Sequence, residues 1–448
     1  MKKNNRNNWL VLQMPQLENL RVKSILLGVL AVGFISCSSN SLEEPSLGEE
    51  TSGVLNEEEA LVLNEGDFYT PPTTYAVTKD FVADYGADKV FDTDDSEKLQ
   101  SAIDDVSSKG GGKLIIPEGN YSFSEIKMKS NVHIIVNSEA VIRPSERTDT
   151  KNFIIFTFGK ESAVVKNVSI SSSNGDKFTV DLTKSVNTNV AVFNFNNVNN
   201  FLIADFLVKD NLTKFSAVTM GITKYNEEYY SPRNGVVKNG NTLNSDYGYG
   251  LVQVQAAKNV FYKDLKGTGG VTLRFETGLN SMNDLQIGGV YDMFGENISC
   301  TNGNAAVMIS PHAMHNGDVY VNGITAVSCG FGARIESGFI SKNYTNPDLT
   351  KGTFTKVTIS NVNATYGESK AQLKPKHYKF MPCSLRNLID TNPIATDGDS
   401  YWGPSMSAVL NAPNYDVVLD ENKVVGTGFK EGYVIVTDED AINDNDCN

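Results

Sequence analysis

One short phrase recurs along most of the chain: an asparagine, then a β-branched, aromatic or glycine residue, then apolar and polar residues in alternation. It occurs as Asn131-Val132-His133-Ile134, Asn167-Val168-Ser169-Ile170, Asn200-Phe201-Leu202-Ile203 and Asn234-Gly235-Val236-Val237. It returns as Asn259-Val260-Phe261-Tyr262, Asn297-Ile298-Ser299, Asn322-Gly323-Ile324-Thr325 and Asn361-Val362-Asn363-Ala364. The intervals between these asparagines are 36, 33, 34, 25, 38, 25 and 39 residues. Short alternating strands separated by turn residues at such a period mark a solenoid. A helical solenoid would need long apolar patterns of period 3.6, and the sequence shows none. Each coil is therefore expected to supply short parallel strands that stack about 4.8 Å apart on the next coil. Inward residues then form one long core, and outward residues form polar ladders.

The start of this array is capped. Asp94-Asp95-Ser96-Glu97 opens a helix that runs to about Ser108, with Leu99, Ala102, Ile103 and Val106 on one face. Gly110-Gly111-Gly112 ends it, and the segment from Lys113 to Tyr121 reads as a strand and a turn. Together with the upstream Asp84-Tyr85-Gly86-Ala87, this block resembles the N-terminal cap of the pectate-lyase and polygalacturonase group of proteins. The resemblance implies an all-β fold, a right-handed parallel β-helix with an N-terminal capping helix. It is silent on chemistry.

The flanks carry other information. Arg21 and Lys23 precede an apolar run from Ile25 to Ile35 that stops at Ser36-Cys37. The run is too short to span a membrane and reads as a secretory signal. Phe34-Ile35-Ser36-Cys37 resembles the bacterial lipoprotein box, which implies an exported protein lipidated on Cys37 and held at the outer membrane or cell surface. The following Ser-, Glu- and Asn-rich stretch reads as a tether. The expected division is a signal peptide over 1–36, an acidic flexible tether over 37–73, a β-helical catalytic domain over 74–416, and a C-terminal cap with acidic tail over 417–448. Cys300, Cys329, Cys383 and Cys447 lack metal-ligand spacing. Cys300 and Cys329, in similar local contexts, are expected as stacked buried thiols rather than a bridge. A net charge of −14 argues against nucleic acid as a partner. A monomer is expected, with no cofactor and no metal in the site; a structural calcium or other ion is left open.

Chemistry on a β-helix sits on outward residues of consecutive strands, so polar residues at period two are informative. If Val252 and Val254 face the core, Gln253 and Gln255 face out. By the same rule Arg274 and Glu276 are exposed, as are Arg334 and Glu336. Ser310 faces out, with His312 just beyond on the same side. Such a face can be a salt ladder between coils. It also suits glycoside hydrolysis, in which one carboxylic acid protonates the leaving oxygen. In an inverting enzyme a second group activates water roughly 6.5–9.5 Å away. Arg274 and Arg334 would clamp carboxylates or sulfates of an anionic glycan.

Gln253, Glu276 and His312, with Glu276 in the strand Leu273-Arg274-Phe275-Glu276-Thr277-Gly278, resemble the active-site set of the iota-carrageenases, glycoside hydrolase family 82. The resemblance implies an inverting endo-hydrolase of a sulfated galactan, with iota-carrageenan as the expected substrate. It implies Glu276 as general acid, Gln253 beside the catalytic centre, His312 positioning substrate, and Arg274, Arg334, Glu336 and Gln255 as substrate-binding residues. The chain departs from that family at Gly278, where the pattern has an aspartate as base. Glu336, Asp246, Asp284 and Asp292 are the candidate replacements; the alternatives are a water held through amides such as Gln253, and a weakly active protein. A polygalacturonase would show Gly-His-Gly and Arg-Ile-Lys, and the chain has no Gly-His-Gly and has Arg334-Ile335-Glu336. A lyase would need a calcium-binding carboxylate cluster. A non-catalytic glycan-capturing lipoprotein would show aromatic platforms, for which Tyr229, Tyr230, Tyr247 and Tyr249 would serve. The segment 371–406 breaks the repeat and is expected as a loop walling the groove.

Overall fold

The computed structural model describes residues 61–395, 398–443 and 447. The signal segment, Cys37 and the expected tether as far as residue 60 lie outside the described residues. From Val62 onward the chain forms one compact unit. It is a right-handed parallel β-helix, with 23 strands in one continuous sheet.

The corners explain the asparagines. Asn131, Asn167, Asn200, Asn234 and Asn259 all have φ between 54° and 62°, the left-handed region that asparagine tolerates well. Strand register places them one above another, followed by Asp292 (φ 58°) on the next coil. Their amides hydrogen-bond along the column: Asn167 Nδ2 donates to Asn131 Oδ1 at 3.0 Å, and Asn200 Nδ2 to Asn167 Oδ1 at 2.9 Å. Asn297, Gly323 and Asn361 belong to a second corner, stacked above Asp205, Asn239 and Asp264, again all at positive φ. The single repeat read from sequence is therefore two interleaved columns. The 38-residue interval from Asn259 to Asn297 is a jump between corners, and the coil that starts at Asn259 closes after 33 residues, at Asp292.

Inward positions stack as expected. Along one wall Phe156, Phe193, Val218, Val252, Leu273, Val307, Ala333 and Val409 are in register and buried. On another, Phe201 is followed by Gly235, where a Cβ would lie 2.1 Å from the Phe201 ring. Glycine there leaves the room that the phenyl ring fills. The capping helix is Ser96–Ser108 and buries Leu99, Ala102, Ile103 and Val106. Tyr85, from the Asp-Tyr-Gly-Ala phrase, docks it by donating to Asp105 Oδ2 at 2.7 Å.

Four expectations need correction. The expected tether does not extend to residue 73, because Phe68 and Tyr69 are buried against Val236 and Phe261. The segment 65–76 is a strap along the first corner. Asn200 pairs with both the N–H and the carbonyl of Thr70 (2.8 Å each), and Asn259 Nδ2 donates to the Asp67 carbonyl. An outward column of Leu202, Val236, Phe261 and Phe294 gives the physical reason: it needs an apolar cover. Secondly, Cys300 and Cys329 form a disulfide, since stacking on adjacent coils brings their Cα atoms to 6.6 Å. Cys383 and Cys447 form another, fastening the segment after Ala371 to the C-terminal tail. Thirdly, the region beyond 416 is not simply a cap. Val417–Leu419, Val424–Thr427 and Ile435–Thr437 pair in parallel with the preceding coil and lay down a further rung. Lastly, the segment 371–406 is more than a loop. Ala371–Leu373 pairs antiparallel with Tyr401–Gly403, with two short 3-10 turns, Pro375–Phe380 and Cys383–Leu388, between them.

Candidate active site

The outward faces of the wall that contains Val252 and Leu273 build the site. Thr219, Gln253, Arg274, Met308 and Arg334 form one column, and Glu276 and Ser310 are neighbours in the next column along the strands. Gln255 and Glu336 continue that second column on the flanking coils. The alternation read from the sequence thus places six of the seven proposed side chains on one face, and His312 joins them from just beyond the end of the strand at Ser310.

Glu276 is the hub. It ion-pairs with Arg274 and accepts from His312 Nε2 at 3.2 Å, with only 14% of its side chain exposed. Burial pushes its carboxyl up, but Arg274 and the His312 hydrogen bond outweigh burial and hold it down to about 2. His312 adopts φ 51°, which turns its ring back over the strand end. Its Nδ1 lies 2.7 Å from the Tyr344 hydroxyl, and Phe339 packs on the ring at 4.3 Å. Burial, and then the Glu276 charge, push the Tyr344 phenol up to about 12, so it stays protonated. With Glu276 ionised, a neutral His312 carries its proton on Nε2 and accepts from Tyr344 on Nδ1. Tyr344, which sequence reasoning missed, fixes the imidazole. It comes from the loop after Ser337, and nothing in its local sequence marks it.

The two arginines differ. Arg274 borders the open cavity and also donates to the Gly248 carbonyl. Arg334 was expected to clamp substrate, but it is 3% exposed and spent on internal partners: the Tyr247 hydroxyl at 3.1 Å, Asn304 Oδ1, and Glu336 at 3.3 Å. Its role is to hold the floor of the site. Glu336 is likewise engaged, with Lys376 Nζ at 3.0 Å and His377 Nε2 at 3.8 Å. Burial would raise its carboxyl, but the Arg334 and Lys376 charges hold it well below the usual carboxylate range. His377 is fully enclosed, with neither ring nitrogen hydrogen-bonded, and burial and the Arg334 charge keep it neutral.

Two connected hollows run along this face. One, of about 390 Å³, is lined by Asp246, Arg274, Glu276, Arg334, Lys374 and Lys376, among others. The second, of about 1070 Å³, extends towards the N-terminal coils past Gln253, Gln255, Phe215, Tyr229 and Lys160. Lys214 and Tyr249 border both. The segment 371–406 does wall the smaller hollow, through Lys374, Lys376, Asp399 and Ser400. These lysines are a further set that the sequence did not single out.

Comparison with known proteins decides the family. An iota-carrageenase of Zobellia galactanivorans is 33% identical across 480 aligned positions, covering 93% of this chain and 95% of that protein. The chain belongs to the iota-carrageenase family. It is a glycoside hydrolase. A solved 1,3-alpha-1,4-beta-D-galactose-4-sulfate-3,6-anhydro-D-galactose-2-sulfate 4 galactohydrolase superposes with a TM-score of 0.79 at 33% identity, covering 86% of this chain and 96% of its own. A solved iota-carrageenase complexed to iota-carrageenan fragments gives a TM-score of 0.76 at 30% identity, over 86% of this chain and 95% of its own. No protein-family model matches the chain. The iota-carrageenase resemblance carried by Gln253, Glu276 and His312 therefore pointed to the right family.

Proposed function

We propose that the chain cleaves iota-carrageenan within the polymer, with inversion at the anomeric carbon, and that Glu276 is the general acid. One observation carries the assignment: among the site residues, Glu276 alone joins His312, Arg274 and the open cavity. A relative of the same fold is solved with iota-carrageenan fragments. The groove is open and lined with amides, aromatic rings and lysines, which suits a long anionic polymer rather than a chain end.

In the empty site Glu276 is a carboxylate, whereas an acid must arrive protonated. The substrate supplies the change. A sulfate entering beside Arg274 competes for its guanidinium and adds negative charge next to Glu276, and both effects favour the neutral acid. Arg274 thus binds sulfate and releases Glu276 for proton transfer in one event. Gln253, one coil away, hydrogen-bonds the sugar, and His312 orients the acid.

Assay of the purified protein on iota-, kappa- and lambda-carrageenan and on polygalacturonate tests this reading. New reducing ends on iota-carrageenan, an early fall in viscosity and no ultraviolet absorbance of an unsaturated sugar are expected. Product absorbance would replace hydrolysis by elimination, and binding without cleavage of any of the four would replace it by glycan capture.

We further infer from the segment ending at Cys37 that the protein is an exported lipoprotein displayed on the bacterial surface, where a polymer too large to import would be cut. Palmitate labelling in a bacterial host is expected for the full chain and to disappear in Cys37→Ala. Undiminished labelling of that variant would sink the anchor.

A further inference from the structure

We propose that the hairpin 223–230 and the facing rings of Phe215 and Tyr249 form a distal subsite that grips a sugar ring of the substrate by stacking, a proposal that rests on the iota-carrageenan reading above. The larger hollow has the build for such a contact. Strands cross its floor, so residues just before a strand stand on one bank and residues just after it on the other. Thr219 and Gln253 are floor residues in register, and Asn194 Nδ2 donates to Thr219 Oγ1 at 2.9 Å. Phe215 lies just ahead of Val218–Met220 and Tyr249 just ahead of Val252, with their rings 6.4 Å apart. The hairpin follows Val218–Met220 and so stands across from them.

Both banks are held before any substrate arrives. Thr223–Tyr225 pairs antiparallel with Glu228–Tyr230, and Asn226 and Glu227 close a tight two-residue turn with φ 48° and 66°. Glu161 N–H fixes the base of the hairpin by donating to Thr223 Oγ1 at 2.8 Å. Tyr225 and Tyr229 line the hollow, whereas Glu228 and Tyr230 line a separate recess behind it. On the facing bank Tyr249 stands in a bulge, where register breaks between Ser245 and Gly250. Bulges re-aim side chains and recur beside active sites. Gln372 pins this one: its Nε2 donates to the Ser245 carbonyl at 3.0 Å, and its Oε1 accepts from the Gly270 N–H at 2.7 Å.

Tyr229 keeps 41% exposure in this setting. An aromatic ring left open on a held bank gains by having its apolar face covered, and the C–H face of a pyranose covers it. Charge does not carry the contact. Lys224 is already paired with Glu227 at 2.6 Å, and Glu161 adjoins Lys160 in the lining. The smaller cavity, with Arg274, Lys374 and Lys376, suits sulfate, and the larger hollow suits the sugar ring itself. Register puts the coil of Thr219 two coils from that of Arg274, about 10 Å at about 4.8 Å per coil and farther than one pyranose spans. Only chains that extend beyond the sugars at the cleaved bond therefore fill the subsite, and they alone can spend its binding energy on the reaction.

The test measures kcat/KM of the full-length protein on iota-carrageenan oligosaccharides of increasing length, at low and high sodium chloride. The proteins are the parent, Tyr229→Ala, Tyr229→Phe and Glu228→Gln, with melting temperature as a check on folding. For the parent, kcat/KM should step up once a chain is long enough to reach the hairpin. Tyr229→Ala should lose about 3–10-fold on those chains at both salt concentrations, and nothing on the shortest chain that is cut. Tyr229→Phe keeps the ring and Glu228→Gln alters the other face of the hairpin, so both should match the parent. A Tyr229→Ala variant that matches the parent on long chains, loses equally on all lengths or recovers in high salt overturns the subsite and leaves the hydrolase reading intact. A parent that binds these chains without cutting them overturns the hydrolase reading, and the affinity of Tyr229→Ala then decides the subsite: weakened on long chains alone upholds it, and unchanged overturns it.

Discussion

Turnover of iota-carrageenan by Glu276→Gln is expected to fall by about 10²–10⁴-fold, the range for losing a positioned acid. The amide preserves volume and still accepts from His312 Nε2, so the fold and groove should persist. It has no proton to give the leaving oxygen. Removing the charge also frees Arg274 from its ion pair, so affinity for iota-carrageenan oligosaccharides should hold or tighten while kcat collapses. Reducing-end assays beside calorimetric titration separate the two quantities. Full activity in this variant would remove Glu276 from the mechanism, and loss of both binding and turnover would make it a structural residue.

The second large effect concerns stability. Arg334→Met takes the guanidinium away from Glu336, Tyr247 and Asn304 in an enclosed setting. Glu336 is then left with Lys376, whose side chain is 56% exposed, and with the neutral His377. Breaking one side of a buried pair costs about 3–5 kcal/mol. For a chain of this size that corresponds to a melting temperature lower by roughly 4–6 °C. The double change Arg334→Met with Glu336→Gln should recover much of the loss, because no buried carboxylate is then left uncompensated. A parental melting temperature in the single variant would show that the pair is dispensable.

Much of this architecture was legible because it depends on local chemistry. Asparagine tolerates the left-handed corner, alternation assigns each side chain a face, and the Arg274/Glu276 and Arg334/Glu336 pairs follow from parity alone. Parity does not report depth. It put Arg334 on the outward face without showing that the segment after Ala371 covers it. Nor does a one-dimensional period separate two corners that use the same residue, so the two columns merged into one. Tyr344, Lys376 and the pinned bulge at 246–249 join the site through coil register and turns, over sequence distances of 32 to 127 residues. The strap left a readable trace in the apolar outward residues Leu202, Val236, Phe261 and Phe294. Read as ordinary strand residues, they gave no warning that Phe68 would cover them.

That strap also determines how the molecule bears a load. Phe68 sits on the coils of Phe261 and Phe294, and Tyr75 meets His133 on the second coil. Seven residues thus descend four coils, about 19 Å at about 4.8 Å per coil, nearly the reach of an extended chain. A pull arriving from before Val62 is therefore met at mid-length of the solenoid rather than at its first strand. It loads the Phe68 contacts, the Asn200 clasp and the Lys238–Glu65 pair together, in shear. The terminal rungs, which a force applied at the tip would peel one at a time, are spared by that arrangement.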